Sequence, residues 1–267
     1  MKYIQAPLPF QGQKKNMLKA FEQFIKQQPP DTIFVDLFGG SGLLSHTAKT
    51  IHPKSKVIYN DFDNYTKRLK NINTTNAIIK DLRKITDGTS TKNKLSETKT
   101  KEVLKLIKKY ESNGAFVDYI TISSCICWAL HYTHNMKELQ TQHLYNRVVQ
   151  KTYSADGYLN GVITTRTDYK TLFKKYNNDP NVLFFIDPPY LQTNESGYYK
   201  KNMWTLKDHL NILKCMINVR FCYFTSSKSD TIELVQWFNT INKESIKWKQ
   251  YETRKMSGYI DYMFVNK

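Results

Sequence analysis

Four short apolar runs in this chain each lead into an aspartate, and that arrangement constrains the fold more than any other feature. Residues 32–35 run into Asp36, residues 57–59 into Asn60 and Asp61, residues 162–165 towards Asp168, and residues 182–186 into Asp187. Runs of this length, rich in Val, Ile and Phe, read as buried strands. Helical periodicity lies between them. Met17, Leu18, Phe21, Phe24 and Ile25 share one face of a helix over 14–27, which Pro29 and Pro30 stop. Residues 41–52 read as a second helix. Residues 205–218 read as a third, with Leu206, Leu210, Leu213 and Ile217 inward, and residues 231–241 as a fourth. Alternating strands and helices give a doubly wound, mostly parallel α/β sheet. A further strand at 221–225 and a hairpin of 246–254 with 259–265, turning at Ser257 and Gly258, bring the sheet to seven strands. Such sheets bind ligands beyond the carboxyl ends of their strands. The four acids therefore converge on one rim.

The stretch from 65 to about 154 breaks the pattern. Residues 86–100, rich in Ser, Thr, Lys and Gly, read as a loop. Residues 101–110 read as a basic helix with Val103, Leu104 and Ile107 inward. From 64 to 151 the chain carries 16 Lys and Arg against 7 Asp and Glu. The whole chain has 40 against 23, a net +17 over 267 residues, so this third of the length holds over half the excess. A density of that kind favours an insertion facing a polyanion. The expected division is 1–64 with 155–267 as one domain and 65–154 as a mainly helical insertion.

With 40% apolar and 13% aromatic residues the chain can build a core and is not disordered. No apolar run approaches the ~20 residues of a membrane span. The N-terminus lacks the apolar stretch of a secretory signal, so a soluble, cytoplasmic protein is expected. Cys125, Cys127, Cys215 and Cys222 fit no zinc spacing and read as reduced core residues. His131 and His134 read as ordinary core or surface residues, so no metal is expected.

Two segments carry chemistry. The first is Asp36, Leu37, Phe38, Gly39, Gly40, Ser41 and Gly42, a glycine-rich turn from strand to helix. Glycines let the backbone approach a ligand closely. The segment matches neither the P-loop nor GxGxxG. Asp61 follows by about 20 residues, where an acid can accept hydrogen bonds from ribose hydroxyls. The second segment is Asp187, Pro188, Pro189 and Tyr190. An amine on an aromatic base is a poor nucleophile, because its lone pair is delocalised into the ring. Two acceptors gripping its hydrogens localise that pair, and the Asp187 carboxylate with the Pro188 carbonyl are suited to the task. The prolines fix the backbone, and Tyr190 offers a flat face to an extruded base.

These residues resemble the Dam-type, D12-class adenine-N6 DNA methyltransferases, with the motif order of the family's alpha group. Asp36 to Gly42 resembles its cofactor loop, and Asp187 to Tyr190 its catalytic tetrapeptide. Phe10, Gln11, Gly12, Gln13 and Lys14 resemble its N-terminal cofactor motif, with Gln13 where the family has a second glycine. The resemblance spans about 5–85 and 160–267 and is weak between. It implies a Rossmann-like methyltransferase fold, S-adenosyl-L-methionine as cofactor, S-adenosyl-L-homocysteine as product, and double-stranded DNA as partner, bound through the insertion as target-recognition segment. It implies Asp187, Pro188, Pro189 and Tyr190 as catalytic residues. The cofactor residues it implies are Phe10, Gly12, Lys14, Asp36, Phe38, Gly39, Gly40, Ser41, Gly42, Asp61, Asp168 and Asp187, with Asp168 on the cofactor's adenine. A monomeric bacterial or phage enzyme is expected, with room for a cognate restriction endonuclease. Tyr198, Tyr199, Lys200 and Lys201 suit a surface facing nucleic acid, and Arg83, Arg147 and Arg166 suit phosphate or guanine contacts. Two rivals stay open: an amine methyltransferase acting on RNA or on protein glutamine, and a catalytically silent nucleic-acid-binding relative.

Overall fold

The computed structural model describes residues 3–129, 131–191, 204–241, 248–254 and 258–266. Five strands run parallel: β1 (Ile33–Asp36), β2 (Val57–Asn60), β3 (Ile163–Thr165), β4 (Val182–Ile186) and β5 (Arg220–Ser226). β6 (Trp248–Arg254) and β7 (Ile260–Asn266) form the terminal hairpin. β7 inserts antiparallel beside β5, so the sheet order is β3-β2-β1-β4-β5-β7-β6. This is the seven-stranded Rossmann-like methyltransferase architecture expected from the sequence.

Alternation along the strands builds two layers. In β4, Leu183 and Phe185 pack with Met17, Phe21 and Ile25 around α1 (Leu18–Ile25) and with Leu43, Leu44 and Ala48 of α2 (Leu43–Ile51). Val182, Phe184 and Ile186 point the other way. They meet α8 (Tyr169–Tyr176), α9 (Leu206–Cys215) and α10 (Thr231–Ile241) through Leu172, Ile212, Leu213, Met216 and Val235. Both faces of the central strands are covered, which is why β1, β2 and β4 read as unbroken apolar runs.

One helix face departs from the sequence reading. Leu206 and Leu210 are 52% and 44% exposed, whereas His209, Ile212, Leu213 and Met216 are buried. Those four follow the i, i+3, i+4, i+7 rule. The stripe includes a histidine, so a stripe drawn through leucines alone falls out of register.

Between β2 and β3 lie α3 (Tyr65–Lys70), α4 (Ile72–Thr86), α5 (Glu97–Ser112), α6 (Tyr119–Ile126) and α7 (Met136–Gln140). They enclose a third core with Ile78, Leu82, Val103, Ile107, Ile122 and Leu144. The last four residues of the expected 86–100 loop belong to α5, which starts where the Ser96 side chain accepts from the Lys99 N–H. Leu104 is only partly buried. All four cysteines are free; three are buried and Cys215 is half-buried. No helix among the described residues is long and apolar enough to cross a membrane, and no cluster of three metal-ligating side chains occurs among them.

Candidate active site

β1 and β4 are neighbours, and the chain leaves them in opposite lateral directions, β1 towards β2 and β4 towards β5. The crevice outside their carboxyl ends is the switch point of the sheet. Asp36 ends β1 and Asp187 follows β4, so the two acids flank that crevice.

The glycine turn forms its floor. Gly40 and Gly42 have φ of 50° and 76°, in the left-handed region that favours glycine. Gly39 is required for space instead. A Cβ there would lie 2.2 Å from the Tyr59 ring and 2.9 Å from the Asn60 carbonyl oxygen. Tyr59, fully buried on β2, has its hydroxyl 2.7 Å from the Gly40 carbonyl and 3.0 Å from Asp61 Oδ1. Tyr158 donates to the Ser41 carbonyl oxygen at 2.9 Å. The turn is therefore held by side chains that sequence reasoning did not single out.

Phe10, Gly12, Gln13 and Lys14 form the opposite wall. Gly12 is left-handed at φ 83°, while Gln13 does not adopt positive φ. Gln13 accepts instead from the Ala6 N–H through Oε1 at 2.9 Å. The turn therefore tolerates the departure from the family's second glycine. The Phe10 ring covers Gly40, within 3.0 Å of where a Cβ would stand, and meets the Tyr65 ring edge-on at 5.6 Å.

Lys14 crosses the crevice. Its Nζ lies 2.5 Å from Asp187 Oδ2 and donates to the Gly12 carbonyl oxygen at 2.8 Å. The same ammonium stands 5.3 Å from the Tyr190 ring centre and 5.9 Å from that of Phe224. Asp187 Oδ1 is buried and has no hydrogen-bond partner among the described residues. Burial pushes the Asp187 carboxyl above its usual range, and the Lys14 charge opposes that shift. Asp36 accepts from Ser45 Oγ at 2.7 Å, and burial first, then the Asp187 charge, push it up to about 7.

Phe10, Gly12, Lys14, Phe38, Gly39, Gly40, Ser41 and Asp187 thus line one narrow cleft of about 20 Å3, together with Gln13, Leu43 and Leu44. That is room for about one water molecule, so a larger ligand requires the walls to part. Asp36 lies outside that lining, held by Ser45 of α2. The other expected residues take separate positions. Asp61 accepts from the Tyr65 N–H at 2.5 Å, the Thr66 N–H at 3.0 Å and the Thr66 hydroxyl, at the start of α3. Asp168 is exposed at the rim and caps α8 by accepting from the Lys170 N–H at 2.8 Å. Pro188 is buried, and Pro189 and Tyr190 are half-buried, at the exit from β4. Tyr198, Tyr199, Lys200 and Lys201 lie outside the described residues.

The three arginines named from the sequence differ. Arg83 is turned to the backbone carbonyls of Val149 and Lys151. Arg166 reaches the Phe62 carbonyl at 3.3 Å, and Arg147 lies 5.8 Å from the exposed Trp128 ring.

The turn is free of side chains at its glycines, and an unpartnered carboxylate oxygen stands at the cleft wall. Residues 10–254 match the family model of the D12 class N6 adenine-specific DNA methyltransferases. A Haemophilus influenzae protein provisionally named a methyltransferase is 32% identical over 258 residues, covering 95% of this chain and 86% of that protein. Among solved structures, the precorrin-6y C5,15-methyltransferase of Geobacter metallireducens is 8% identical with a TM-score of 0.39, over 94% of this chain and 88% of that one. TYW2 of P. horikoshii, in complex with MeSAdo, is 12% identical with a TM-score of 0.33, over 93% of this chain and 60% of that one. Those two scores are too low to bear on the site.

Proposed function

The chain belongs to the D12 class N6 adenine-specific DNA methyltransferase family, and on that premise we propose that it methylates N6 of an adenine extruded from duplex DNA. The observation that carries the reading is the unpartnered Asp187 Oδ1, buried beside the turn formed by Gly39, Gly40 and Ser41. A buried acceptor left without a donor costs free energy, of order 1–3 kcal/mol. A substrate amine would satisfy it.

S-adenosyl-L-methionine, when bound, supplies an electrophilic methyl group and leaves as S-adenosyl-L-homocysteine. Phe10, Gly12, Lys14, Phe38, Gly39, Gly40, Ser41 and Gly42 would hold it, with Asp36 supporting the turn, Asp61 toward the ribose and Asp168 toward its adenine. The chain's own part is placement. Asp187 and the Pro188 carbonyl accept the two hydrogens of the amine and localise its lone pair on nitrogen. Once the new N–C bond has formed, nitrogen gives up one proton, which the Asp187 carboxylate takes. Tyr190 stacks on the extruded ring. No metal is needed.

The excess of Lys and Arg over 64–151 supports residues 65–154 as the DNA-binding, target-recognising segment. Binding should weaken steeply with salt. The expected setting is the cytoplasm of a bacterium, or of one carrying a phage.

The test is transfer of radiolabelled methyl groups to unmethylated duplex DNA, with RNA and protein offered in parallel. The expected result is label in N6-methyladenine of DNA and its loss in Asp187→Ala. Label in RNA or protein alone, or unchanged transfer in Asp187→Ala, would overturn the reading.

A further inference from the structure

We propose that Lys14 is a positioning residue whose ammonium keeps the Asp187 carboxylate ionised and turned, so that Oδ2 is occupied and Oδ1 is left for the amine. The inference rests on the reading of Asp187 as the amine's acceptor.

Geometry carries it. The 2.5 Å contact is made by two side chains only 10% and 17% exposed. Lys14 is itself fixed, because its Nζ also donates to the Gly12 carbonyl and is flanked by the faces of Tyr190 and Phe224. One carboxylate oxygen is engaged by that ammonium and the other has no described partner. An ion pair of this form divides labour between the two oxygens.

The surroundings make a cation necessary. The Asp261 carboxyl on β7 pushes Asp187 further up, and the Asp187 charge in turn raises Asp36 at the end of β1. Cys222 and Tyr223 on the adjacent β5 are buried, and the Asp187 charge helps push both further toward their neutral forms. Burial and like charge both favour a protonated Asp187. A protonated carboxyl could not take the proton from the methylated amine. Among the described residues, Lys14 is the cation that reaches Asp187.

The sign follows directly. An Asp187 that must be ionised gives activity that falls as pH drops through its pKa. Removing a neighbouring positive charge raises that pKa, so the acid limb should move to higher pH. A close opposite charge typically shifts a carboxyl by about 1–3 units.

The test needs no turnover. The carboxyl carbon of Asp187 is followed by NMR in the unliganded protein labelled with 13C-aspartate, the resonance being assigned with Asp187→Asn. Lys14→Met should raise the midpoint by about 1–3 pH units, and Lys14→Arg should restore most of the shift. The acid limb of kcat/KM for DNA should move with it. An unmoved midpoint in Lys14→Met overturns the inference. So does tighter DNA binding in that variant with an unmoved limb, because Lys14 would then merely fill the amine's place. If wild-type protein methylates no DNA, the functional reading fails, yet the titration still decides what Lys14 does to Asp187.

Discussion

Arg68 and Asp118 form a buried ion pair in which the guanidinium Nε lies 3.0 Å from both carboxylate oxygens. The pair joins three parts of the chain. Asp118 starts α6 and also accepts from the Thr121 N–H and hydroxyl. Arg68 lies in the last turn of α3 and donates through Nη2 to the Pro9 carbonyl at 2.8 Å, one residue before Phe10. A wall of the candidate cofactor cleft is thereby tied to the helical segment that follows β2. Removing one partner of a buried pair strands the other charge, at about 3–5 kcal/mol. Arg68→Met should lower Tm and also weaken binding of S-adenosyl-L-homocysteine, because Pro9 loses its donor. Calorimetric melting and titration calorimetry read the two effects. A drop in Tm with unchanged affinity would show that the Pro9 link does not reach the cleft.

The glycine turn predicts a graded response to alanine. Gly39→Ala drives a Cβ into the Tyr59 ring, which is buried and held by its hydroxyl, so neither side can yield easily. Overpacking of this kind costs about 1–3 kcal/mol. Gly42→Ala meets the Leu159 side chain at 2.9 Å and must also adopt φ near 76°. Gly114→Ala supplies the control, since its φ is 77° with nothing within 4 Å of the new Cβ. Urea unfolding should place Gly114→Ala nearest wild type. Both turn variants should lose cofactor affinity, and Gly114→Ala should not. If Gly42→Ala and Gly114→Ala fall equally, backbone strain rather than crowding governs position 42.

Asp61 is more heavily engaged than a dedicated ribose acid would need to be. Its carboxylate serves the Tyr65 and Thr66 N–H groups, the Thr66 hydroxyl and Tyr59. Two carboxylate oxygens offer about four lone-pair sites, so a ribose hydroxyl must share them. Asp61→Asn keeps the shape with one acceptor oxygen and should cost about 1–2 kcal/mol of stability. Affinity for S-adenosyl-L-homocysteine against its 2′,3′-dideoxy analogue then tests the ribose role. Wild type should prefer the hydroxylated ligand and the variant should lose that preference. Equal preference in both would leave Asp61 a helix cap alone.

The rim acids were legible because each ends or closely follows an apolar run, and local pattern suffices to place such positions in a parallel sheet. The same pattern found Gly39 to Gly42 and Asp187. What it missed depends on distance or on composition. Lys14 and Asp187 meet only after the sheet has brought together the two ends of the motif order. Arg68 and Asp118 pair across two helices. Helix α4 reads INTTNAIIKDLRKIT, whose Thr and Asn residues mask the inward Ile78, Ile79 and Leu82. The inner face of α9 was misdrawn because His209 lies buried within it.

Asp36 yields a prediction about stability with an unusual sign. Its carboxyl is fully buried and pushed up to about 7, against about 4 in an unfolded chain. Between those values the native state holds a proton that the unfolded state releases. The contribution of this group is therefore complete below about pH 4 and is lost as pH rises through about 7. Asp36→Asn keeps an acceptor for Ser45 Oγ and carries no charge. It should be more stable than wild type above pH 7, by an amount on the order of a few kcal/mol, and no more stable at pH 4. Urea unfolding across that range measures the difference. Asp63, pushed up to about 6 by burial, slopes the same way in both proteins and so cancels. A constant difference at every pH would mean that the substitution acts through packing instead. If the gain appears as expected, ionised Asp36 costs the fold stability at neutral pH. Its place at the end of β1, where the chain enters the glycine turn within reach of the Asp187 charge, then points to the site rather than the core as the reason for an acid there.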